Sequence, residues 1–410
     1  MRILHVHKYF HREDGASRYM VELMQLQEAA GHTVAPFAMV DPRNIPSPWS
    51  SYFVSNLDTR RVAGGLRAWR QFVRALWSRE AAVKMEAMLK AFSPDVVHVH
   101  NIYNHLSPSI LSVCRRHGVP IVMTVHDYSL VSANYALWTG RGVLERERRG
   151  LLATASTRFA KGSYVASLVL TIVQRLHQML GVYKRSIARF MVFSRYMEQE
   201  LVQAHFSKQK IVELFPFSAP LLLDGLPAKA KTRRGVLFAG RLEPYKGISV
   251  LLAAAKKMPD TEFLFAGQGS QEAMIVEAAS RLENVRYLGF LSDDAMWQQM
   301  AAAQVVAVPS LWAEPFGLVA LEALVIGTPI LVSDRGALPE LVRDNSFGRI
   351  FKADDPGDFV RQLKKFLAAP EGAQDMGKRG REWARKMASP EKHLARVEAV
   401  YEEALQIEGR

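Results

Sequence analysis

Short apolar segments alternate with longer amphipathic segments along the whole chain, and this alternation limits the possible folds more than any other feature. The apolar segments are 3–7, 33–39, 96–100, 121–126 and 190–194 in the first half, and 236–239, 262–266, 285–288, 305–308, 329–333 and 349–351 in the second. Amphipathic segments such as 17–30, 248–257, 271–282 and 293–303 lie between them. Apolar strands separated by helices are typical of parallel sheets covered by helices, so we predict an α/β fold.

The chain of 410 residues is too long for one hydrophobic core, and its two halves are separated by a polar stretch. That stretch is rich in Pro, Lys and Arg and runs from about residue 218 to residue 234. We therefore predict two Rossmann-like domains, the first over 1–218 and the second over 219–389. In such domains ligands bind beyond the carboxyl ends of the strands, which is where the polar motifs described below fall.

Three features of the sequence indicate a cytoplasmic protein, either free or peripheral on the inner face of the membrane. Cys114 is the only cysteine, which excludes a disulfide framework and fits a reducing compartment. The first residues form a predicted strand and lack the long apolar core of a signal peptide. The longest apolar stretch, 164–173, is far shorter than the ~20 residues of a spanning helix.

The net charge of +13 lies entirely in the first half of the chain. Residues 1–220 contain 28 Lys and Arg against 15 Asp and Glu, whereas residues 221–410 contain 25 of each sign. A one-sided positive field favours an anionic partner, which could be a membrane surface, a nucleic acid or a phosphorylated substrate. A solvated basic face without a partner is the alternative.

Two cations, Arg241 and Lys246, follow the predicted strand 236–239 and precede a predicted helix. Gly240 and Gly247 flank them and permit a tight loop. Arginine offers a planar fork to phosphate oxygens and lysine a point charge. The two together can neutralise a diphosphate, both as a bound group and as a leaving group. A surface loop with ordinary charges is the alternative.

Two carboxylates, Glu314 and Glu322, bracket a helix predicted to begin near Phe316 and Gly317. The first amides of a helix have no partner within it and can bind phosphate oxygens. Glu314 lies ahead of the helix, where it can accept hydrogen bonds from sugar hydroxyls, and Glu322 lies on the side of Leu318, where it can accept from both ribose hydroxyls. Alternatively, Glu314 caps the helix and Glu322 is a surface carboxylate, although its apolar neighbours make that costly.

His126 ends the predicted strand 121–126 and is followed by Asp127. Its place beyond a carboxyl end favours a functional role, and a structural hydrogen bond is the alternative. His7, His98 and His100 lie on strands of the same domain, but their spacing does not match a metal site. We therefore predict no metal site.

Motifs along nearly the whole chain resemble family 4 of the retaining GT-B glycosyltransferases. They occur in the expected order at 15–18 (GASR), 30–34 (AGHTV), 95–101 (DVVHVHN), 124–128 (TVHDY), 240–247 (GRLEPYKG), 267–269 (GQG), 287–290 (YLGF), 309–310 (PS), 314–322 (EPFGLVALE) and 327–329 (GTP). The resemblance implies a GT-B architecture, in which two Rossmann-like domains face each other across a cleft. It also suggests that a last helix over 390–407 packs back on the first domain.

For the donor, the resemblance implies a nucleotide-sugar bound without a metal cofactor. Arg241 and Lys246 would bind the diphosphate of a UDP- or GDP-sugar, and Glu322 would bind the ribose. Glu314 would hold the hydroxyls of the sugar. The absence of any Asp-x-Asp motif agrees with a site that needs no metal bridge.

The remaining site residues that the resemblance implies are backbone contacts and a histidine. Phe316, Gly317 and Leu318 would offer amides near the phosphates and the sugar. Gly15 would let the first loop approach the diphosphate, and His126 would line the reaction centre from the acceptor side. The chain departs from the family in that first loop, because Asp14 stands where a glycine is usual. A carboxylate beside a diphosphate is unfavourable, so we expect this loop to turn differently.

The basic first half favours an acceptor at a membrane. In the predicted helical region 60–92, Leu66, Trp69, Val73 and Leu76 share one face, Trp77 extends it, and Arg67, Arg70 and Arg74 run alongside. A second stretch, 159–189, combines an apolar run with basic residues. Tryptophan and arginine at such spacings suit an anionic headgroup boundary, although core packing is the commoner fate of an apolar face. Peripheral members of the resembled family act on lipid-linked sugars.

We therefore predict a glycosyltransferase that moves a sugar to a lipid-linked glycan acceptor in surface polysaccharide biosynthesis, such as O-antigen, capsule or exopolysaccharide. The same chemistry on a soluble acceptor is the alternative. A nicotinamide-dependent oxidoreductase is less consistent with the sequence, because Gly267-Gln268-Gly269 is not followed by the third glycine of a dinucleotide motif. A nucleic-acid binder would leave the arrangement from Glu314 to Glu322 without a role, so we expect no nucleic acid partner.

Overall fold

The computed structural model of the chain describes residues 1–12, 14–57, 65–222, 227 and 233–408, with the backbone alone for 65–69, 148 and 408. The chain forms two compact units. The first contains the residues up to Leu214, apart from 140–143, together with His393 onward, and the second contains Phe215 to Lys392 and 140–143. The division after Leu214 precedes the polar stretch of the sequence. Most of that stretch lies outside the described residues.

The first unit is built on a parallel sheet whose central strands are buried on both faces. Its strands are β1 (Arg2–Val6), β2 (Thr33–Phe37), β3 (Val96–Val99), β4 (Ile121–Thr124), β5 (Arg189–Val192) and β6 (Ile211–Glu213), in the order β2-β1-β3-β4-β5-β6. The first five confirm predicted strands, although each ends one or two residues earlier than expected. Strand β6 was not predicted, because its three residues lie at a sheet edge, two half-buried and one exposed, and carry no clear apolar pattern.

Four of the helices described in the first unit begin at polar side-chain caps that the sequence provides. The helices of this unit up to residue 203 are α1 (Gly15–Ala29), α2 (Gly65–Leu76), α3 (Arg79–Phe92), α4 (Tyr103–Leu106), α5 (Ser109–Arg116), α6 (Leu151–Ser156), α7 (Tyr164–Met179), α8 (Val182–Ser186) and α9 (Arg195–Gln203). Asp14, Ser78, Ser163 and Ser194 each accept a hydrogen bond from a backbone amide in the first turn of α1, α3, α7 and α9. Helix α1 therefore begins at Gly15, two residues before the predicted start.

The second unit contains another parallel sheet. Its strands are β7 (Val236–Ala239), β8 (Phe263–Ala266), β9 (Val285–Gly289), β10 (Val305–Val308), β11 (Ile330–Ser333) and β12 (Gly348–Phe351), in the order β12-β11-β10-β7-β8-β9. Its helices are α10 (Ile248–Lys257), α11 (Glu272–Arg281), α12 (Asp293–Ala302), α13 (Leu318–Ile326), α14 (Leu338–Val342), α15 (Pro356–Ala368) and α16 (Pro370–Met387). All six strands match predicted ones to within one residue at each end. The predicted α/β fold is thus confirmed in both units.

The last helix, α17 (Pro390–Glu408), packs within the first unit from His393 onward. Val397, Val400, Tyr401 and Ala404 are fully buried, at the spacing of one helical face. Tyr401 reaches the sheet, because its hydroxyl lies 2.7 Å from Nδ1 of His98 on β3. The C-terminal helix therefore completes the core of the first unit.

Each sheet has one point where the order of strands reverses. In the first sheet the chain runs from β1 to β2 and then returns to the other side of β1 with β3. In the second sheet it runs from β7 through β8 to β9 and then returns to the other side of β7 with β10. The carboxyl ends of two neighbouring strands diverge into different loops at such a point, and ligands bind there in open α/β sheets. Among the described residues, no helix is both long and apolar enough to cross a membrane.

Candidate active site

The loop after β7 carries Arg241 and Lys246, and the loop after β10 carries Ser310 and Glu314. Because β7 and β10 are parallel neighbours, both loops leave the same edge of the sheet at its switch point. Gly247 makes their close approach possible. It has a φ of 77°, and a Cβ atom there would lie 1.8 Å from the carbonyl oxygen of Pro309. The side chains of Lys246 and Glu314 are consequently brought together.

Lys246 and Glu314 form an ion pair. The Nζ atom of Lys246 lies 2.5 Å from Oε1 of Glu314, and the hydroxyl of Ser310 donates to the same oxygen at 2.6 Å. Glu314 is only 6% exposed. The ammonium group of Lys246 also lies 5.0 Å from the centre of the Trp312 ring, within the range of a cation–π interaction. Both residues were predicted to belong to the site, but their pairing was not predicted.

The surroundings of Glu314 keep it ionised. Burial alone would raise the pKa of this carboxyl, but the charge of Lys246 and hydrogen bonds from Lys246 and Ser310 outweigh it, so the pKa lies below its ordinary value. Glu314 does not cap α13, whose N-cap residue is Gly317. The alternative interpretation of Glu314 as a helix cap is therefore wrong. A charged carboxylate held in this way can accept hydrogen bonds from the hydroxyls of a ligand.

Helix α13 begins where the sequence predicted, with Leu318 as its first residue and Gly317 as its N-cap. The first amides with intrahelical acceptors are those of Ala320 and Leu321, both bonded to the Gly317 carbonyl. The amides of Gly317, Leu318 and Val319 precede them and belong to the positive end of the helix. The side chain of Phe316 is buried, which leaves its backbone as the group that could contact a ligand. Glu322 is half-buried in the second turn.

The segment Gly267-Gln268-Gly269 braces the loop of Arg241 rather than forming a nucleotide loop of its own. A Cβ atom at Gly267 would lie 1.9 Å from the carbonyl oxygen of Gly240, and one at Gly269 would lie 2.5 Å from that of Leu242. The Leu242 amide also donates to the Gln268 carbonyl at 2.9 Å. These glycines allow two backbones to pack together. Arg241 itself is exposed.

In the first unit, the loop after β1 differs from a double-glycine loop because Asp14 caps helix α1. Its carboxylate accepts from the Ser17 amide at 2.8 Å, and the Ser17 hydroxyl accepts in return from the Asp14 amide at 3.1 Å. The second carboxylate oxygen lies 3.3 Å from Nζ of Lys8. Although burial would raise the pKa of Asp14, the Lys8 charge lowers it well below its ordinary range. Gly15 follows as the exposed first residue of α1.

His126 lies just beyond the carboxyl end of β4 and is half-buried. Its Nε2 atom is 3.0 Å from Nδ1 of His100, and the two rings stack with centres 5.3 Å apart. Burial lowers the pKa of His126 to about 3, with smaller contributions from His7 and Lys8 in the same direction and from Asp14 in the other. The ring is therefore neutral at pH 7. Asp127 accepts from the Ser129 amide at 2.9 Å and caps a short 3-10 turn.

Three buried histidines, His5, His98 and His100, place nitrogen atoms within 4.8 Å of one another. All six ring nitrogens have hydrogen-bond partners, and the rings of His98 and His100 stack with centres 4.3 Å apart, so a metal ion bound here would have to replace several of these hydrogen bonds. His98 and His100 were singled out from the sequence, whereas His5 was not. His5 becomes apparent only from the register that places it directly opposite His98.

Family models match both units of the chain. The model "Glycosyltransferase Family 4" matches residues 14–214, and the model "Glycosyl transferases group 1" matches residues 226–383. The first model begins after β1 and covers the other five strands of its sheet with Gly15 and His126, and the second covers all six strands of the other sheet with the candidate residues from Arg241 to Glu322.

Several characterised relatives carry glycosyltransferase names. A phosphatidyl-myo-inositol mannosyltransferase from Mycobacterium tuberculosis is 27% identical over 350 residues, which is 83% of this chain and 80% of that protein. Its counterpart from Mycolicibacterium smegmatis is 36% identical over 157 residues, only 37% of this chain and 40% of that relative. A D-inositol 3-phosphate glycosyltransferase from Mycolicibacterium vanbaalenii is 35% identical over 207 residues, 44% of this chain and 46% of that protein.

Solved structures share the fold over nearly the full length. A sucrose-phosphate synthase from Thermosynechococcus elongatus has a TM-score of 0.71 at 20% identity and covers 99% of both chains. The HepE protein of Anabaena, solved with UDP and glucose, has a TM-score of 0.67 at 15% identity, with 97% of this chain and 98% of that one covered. At these identities the likeness supports the fold alone. With the two family models, it shows that the chain is a glycosyltransferase of family 4 with the GT-B fold.

Proposed function

We propose that this enzyme transfers a sugar from a UDP- or GDP-sugar to an acceptor held in a membrane, with retention of anomeric configuration and without a metal ion. The observation that carries the proposal is the ion pair of Lys246 with the buried Glu314 at the switch point of the second sheet. A nucleotide-sugar places phosphate oxygens next to sugar hydroxyls. A cation and a carboxylate 2.5 Å apart suit those two neighbouring groups.

In the donor complex we assign one role to each charged residue. Lys246 and Arg241 bind the diphosphate and stabilise the negative charge that develops as the bond between the anomeric carbon and the phosphate oxygen breaks. Glu314 accepts hydrogen bonds from the sugar and Glu322 from the ribose. The first amides of α13, at Phe316, Gly317 and Leu318, complete the phosphate site.

In the first unit, His126 and Gly15 are the assigned residues. The ring of His126 is neutral at pH 7, so it acts as a hydrogen-bond partner of the reacting sugar or acceptor rather than as a fixed cation. Gly15 has no side chain to obstruct a ligand at the start of α1.

We propose that the two fixed cations take the place of a divalent metal. A metal ion in phosphate chemistry neutralises charge on the leaving oxygen, and Arg241 and Lys246 supply two positive charges for that purpose. Transfer should therefore persist in excess EDTA. Loss of transfer with EDTA and recovery with Mg²⁺ or Mn²⁺ would contradict this part of the proposal.

An exposed apolar stripe on α7 supports contact with a membrane. Val165, Ile172 and Met179 recur every seven residues along one face and are 70%, 37% and 80% exposed. Lys161 is exposed just before the helix, and Leu152 of α6 adds a 65% exposed side chain nearby in the chain. An apolar stripe with basic neighbours suits the boundary of an anionic membrane.

Some of the basic residues predicted to face lipid instead bond within the protein. Arg74 donates to the backbone carbonyl and hydroxyl of Ser55, and Arg175 donates to the carbonyl of Arg149. Lys184 donates to the Ala204 carbonyl at 3.0 Å. The side chains of Leu66, Arg67 and Trp69 lie outside the described residues, whereas Val73 and Trp77 are exposed. The stripe on α7 is therefore the better-supported surface.

The names of the relatives favour an acceptor with an inositol phosphate. The relative that matches over 83% of this chain is named for a phosphatidyl-myo-inositol acceptor, which is a membrane lipid. We therefore place a phospholipid of this kind ahead of the surface-polysaccharide acceptor that the sequence suggested. A soluble inositol phosphate is the second candidate, because another relative is named for it.

Two measurements test the proposal. Thermal melts with UDP, GDP, ADP and NAD in EDTA should show stabilisation by UDP or GDP, and stabilisation by NAD alone would overturn the donor assignment. Transfer is then assayed with the selected UDP- or GDP-sugars and three acceptors: phosphatidylinositol vesicles, a lipid-linked glycan and soluble inositol phosphate. Transfer only to the soluble compound would overturn the membrane acceptor. The anomeric configuration of the product, read by NMR, tests retention.

A further inference from the structure

Seven polar side chains of the first unit form one continuous chain of hydrogen bonds that begins at His126. In the order of the hydrogen bonds they are His126, His100, His5, Gln27, Tyr401, His98 and Thr124. The six successive donor–acceptor distances are 3.0, 3.2, 2.7, 2.9, 2.7 and 2.7 Å. The chain links strands β1, β3 and β4 to helices α1 and α17.

The interior of this chain is closed to water. The six residues after His126 are all fully buried. Burial also lowers the pKa of His5 to about 4 and lowers the pKa values of His98 and His100 well below their ordinary value, so the rings are neutral at pH 7. A neutral imidazole has one nitrogen that donates and one that accepts. Each ring therefore passes the direction of hydrogen bonding on to the next one.

The amide of Gln27 sets that direction because its oxygen only accepts and its nitrogen only donates. The amide oxygen faces Nε2 of His5, so that nitrogen carries the proton and Nδ1 of His5 accepts from Nε2 of His100. Nδ1 of His100 then accepts from Nε2 of His126. The proton of His126 thus lies on Nε2, and its Nδ1 retains a lone pair.

The other arm of the chain agrees in direction. The amide nitrogen of Gln27 donates to the Tyr401 hydroxyl, which donates to Nδ1 of His98, so Nε2 of His98 donates to Thr124. All four imidazoles are consequently in the Nε2–H form. Rotating the Gln27 amide by half a turn would require all four to be in the Nδ1–H form. A mixture would place two donors or two acceptors against each other in a buried site, which is costly.

We propose that Gln27 is a positioning residue that holds His126 in the Nε2–H form through His5 and His100. The free lone pair on Nδ1 of His126 then accepts a hydrogen bond from a hydroxyl group of the reacting sugar or acceptor. The second step rests on the proposed function, whereas the tautomer assignment does not. Gln27 lies on α1 and never touches the ligand, because two histidine rings separate it from His126.

The first experiment measures the tautomers directly. Histidine ring nitrogens that carry a proton differ widely in ¹⁵N chemical shift from those that do not. We expect long-range ¹H–¹⁵N spectra of the full chain at pH 7.5 to show His5, His98, His100 and His126 all in the Nε2–H form. The Nδ1–H form in any of these four histidines would overturn the proposal. This result does not depend on any transferase activity.

The second experiment interrupts this series of hydrogen bonds by substituting Gln27. In Gln27→Met the acceptor for His5 is lost, so His126 should show a mixture of tautomers and kcat should fall about two- to tenfold, in proportion to the competent fraction. In Gln27→Glu burial favours the neutral carboxyl, whose carbonyl oxygen still accepts from His5 and whose hydroxyl donates to Tyr401 in place of the amide, so His126 should remain in the Nε2–H form with kcat near that of the wild type. UDP binding should be unchanged in both variants, because Arg241, Lys246 and Glu322, the side chains assigned to the diphosphate and the ribose, lie in the second unit.

The outcomes separate this proposal from the proposed function. If Gln27→Met lowers kcat while His126 keeps the Nε2–H form, Gln27 is only structural and the proposal is wrong. Failure of Gln27→Glu to restore both the tautomer and kcat would also overturn it. If the wild-type protein transfers no sugar at all, the proposed function fails, and the ¹⁵N spectra still decide the tautomer assignment.

Discussion

At the scale of single residues, the site in the second unit depends on one buried ion pair. Removing two charges from water is costly, and their attraction repays the cost only when the geometry is good and further hydrogen bonds are made. Lys246 and Glu314 meet both conditions, at 2.5 Å and with a third bond from Ser310. The pair therefore keeps two reactive charges in place before a donor arrives, which is the preorganisation that catalysis of charge-separating steps needs.

Replacing Glu314 by Gln should separate binding from transfer. The amide keeps the size of the side chain but lacks the charge, so kcat should fall by on the order of a hundredfold. UDP should bind as well as before or more tightly, because Lys246 no longer shares its charge with Glu314. Ser310→Ala is the matched control, since it removes one bond and leaves the ion pair intact, and its loss should be smaller. Titration calorimetry and steady-state rates check both, and near-normal transfer by Glu314→Gln would refute the assigned role.

Replacing Lys246 by Met should reverse the effect of pH on stability. In the wild type the pKa of Glu314 lies below the ordinary pKa of a glutamate. The stability that its charge contributes is therefore complete at pH values above the ordinary pKa, and it is lost as the pH falls through the lowered pKa of the folded protein. Without Lys246, burial raises that pKa. The variant should lose about 3–5 kcal/mol at pH 7 and recover part of it near pH 5, where the carboxyl is protonated.

Urea unfolding at pH 7 and pH 5 measures this reversal. Arg241→Met is the control, because it removes an exposed cation from the same loop and should cost less than about 1 kcal/mol. An equal loss at both pH values in Lys246→Met would show that the ion pair does not govern the ionisation of Glu314.

At the scale of elements, the sequence predicted the parts of the site that depend on local patterns. Strand β10 followed by a Gly317 cap and helix α13 was predictable, because an apolar run, a short loop that ends in a glycine and a second apolar run follow each other in the sequence. The pairing of Lys246 with Glu314 was not, since it depends on β7 and β10 being neighbours in the sheet. The histidine chain was also not predictable, because it joins residues as far apart as Gln27 and Tyr401. Sheet order and long-range register leave no local trace in the sequence.

Helix α1 offers a test of the unusual first loop. Asp14 caps the helix and pairs with Lys8, so Asp14→Ala should remove both contributions and cost about 1–2 kcal/mol. Asp14→Asn keeps an oxygen that can accept from the Ser17 amide and loses only the charge, so it should cost less. Urea unfolding at pH 7 gives both values. Equal losses in the two variants would mean that the Lys8 pair, rather than the cap, carries the stabilisation.

At the scale of the whole molecule, the distribution of charge sets the two halves apart. All of the net +13 belongs to residues 1–220, and the half that carries Arg241, Lys246 and Glu314 is neutral. The apolar stripe on α7 lies in the charged half, together with exposed Lys161. Basic charge attracts a protein to an anionic surface over about a Debye length, whereas apolar side chains provide the contact once it arrives. The two features would thus act in sequence during membrane binding.

Vesicle binding should reveal both contributions. The wild-type protein should bind vesicles containing phosphatidylinositol at low salt and bind less as the ionic strength rises, because the attraction is screened. Val165→Glu combined with Met179→Glu adds two charges to the most exposed positions of the stripe and should weaken binding at every salt concentration. Val276→Glu combined with Phe290→Glu is the matched control, since both side chains are also exposed, at 50% and 73%, but lie in the neutral half. Equal weakening in the two double variants would mean that net charge alone accounts for binding, and no binding by the wild type would remove the membrane from the proposed function.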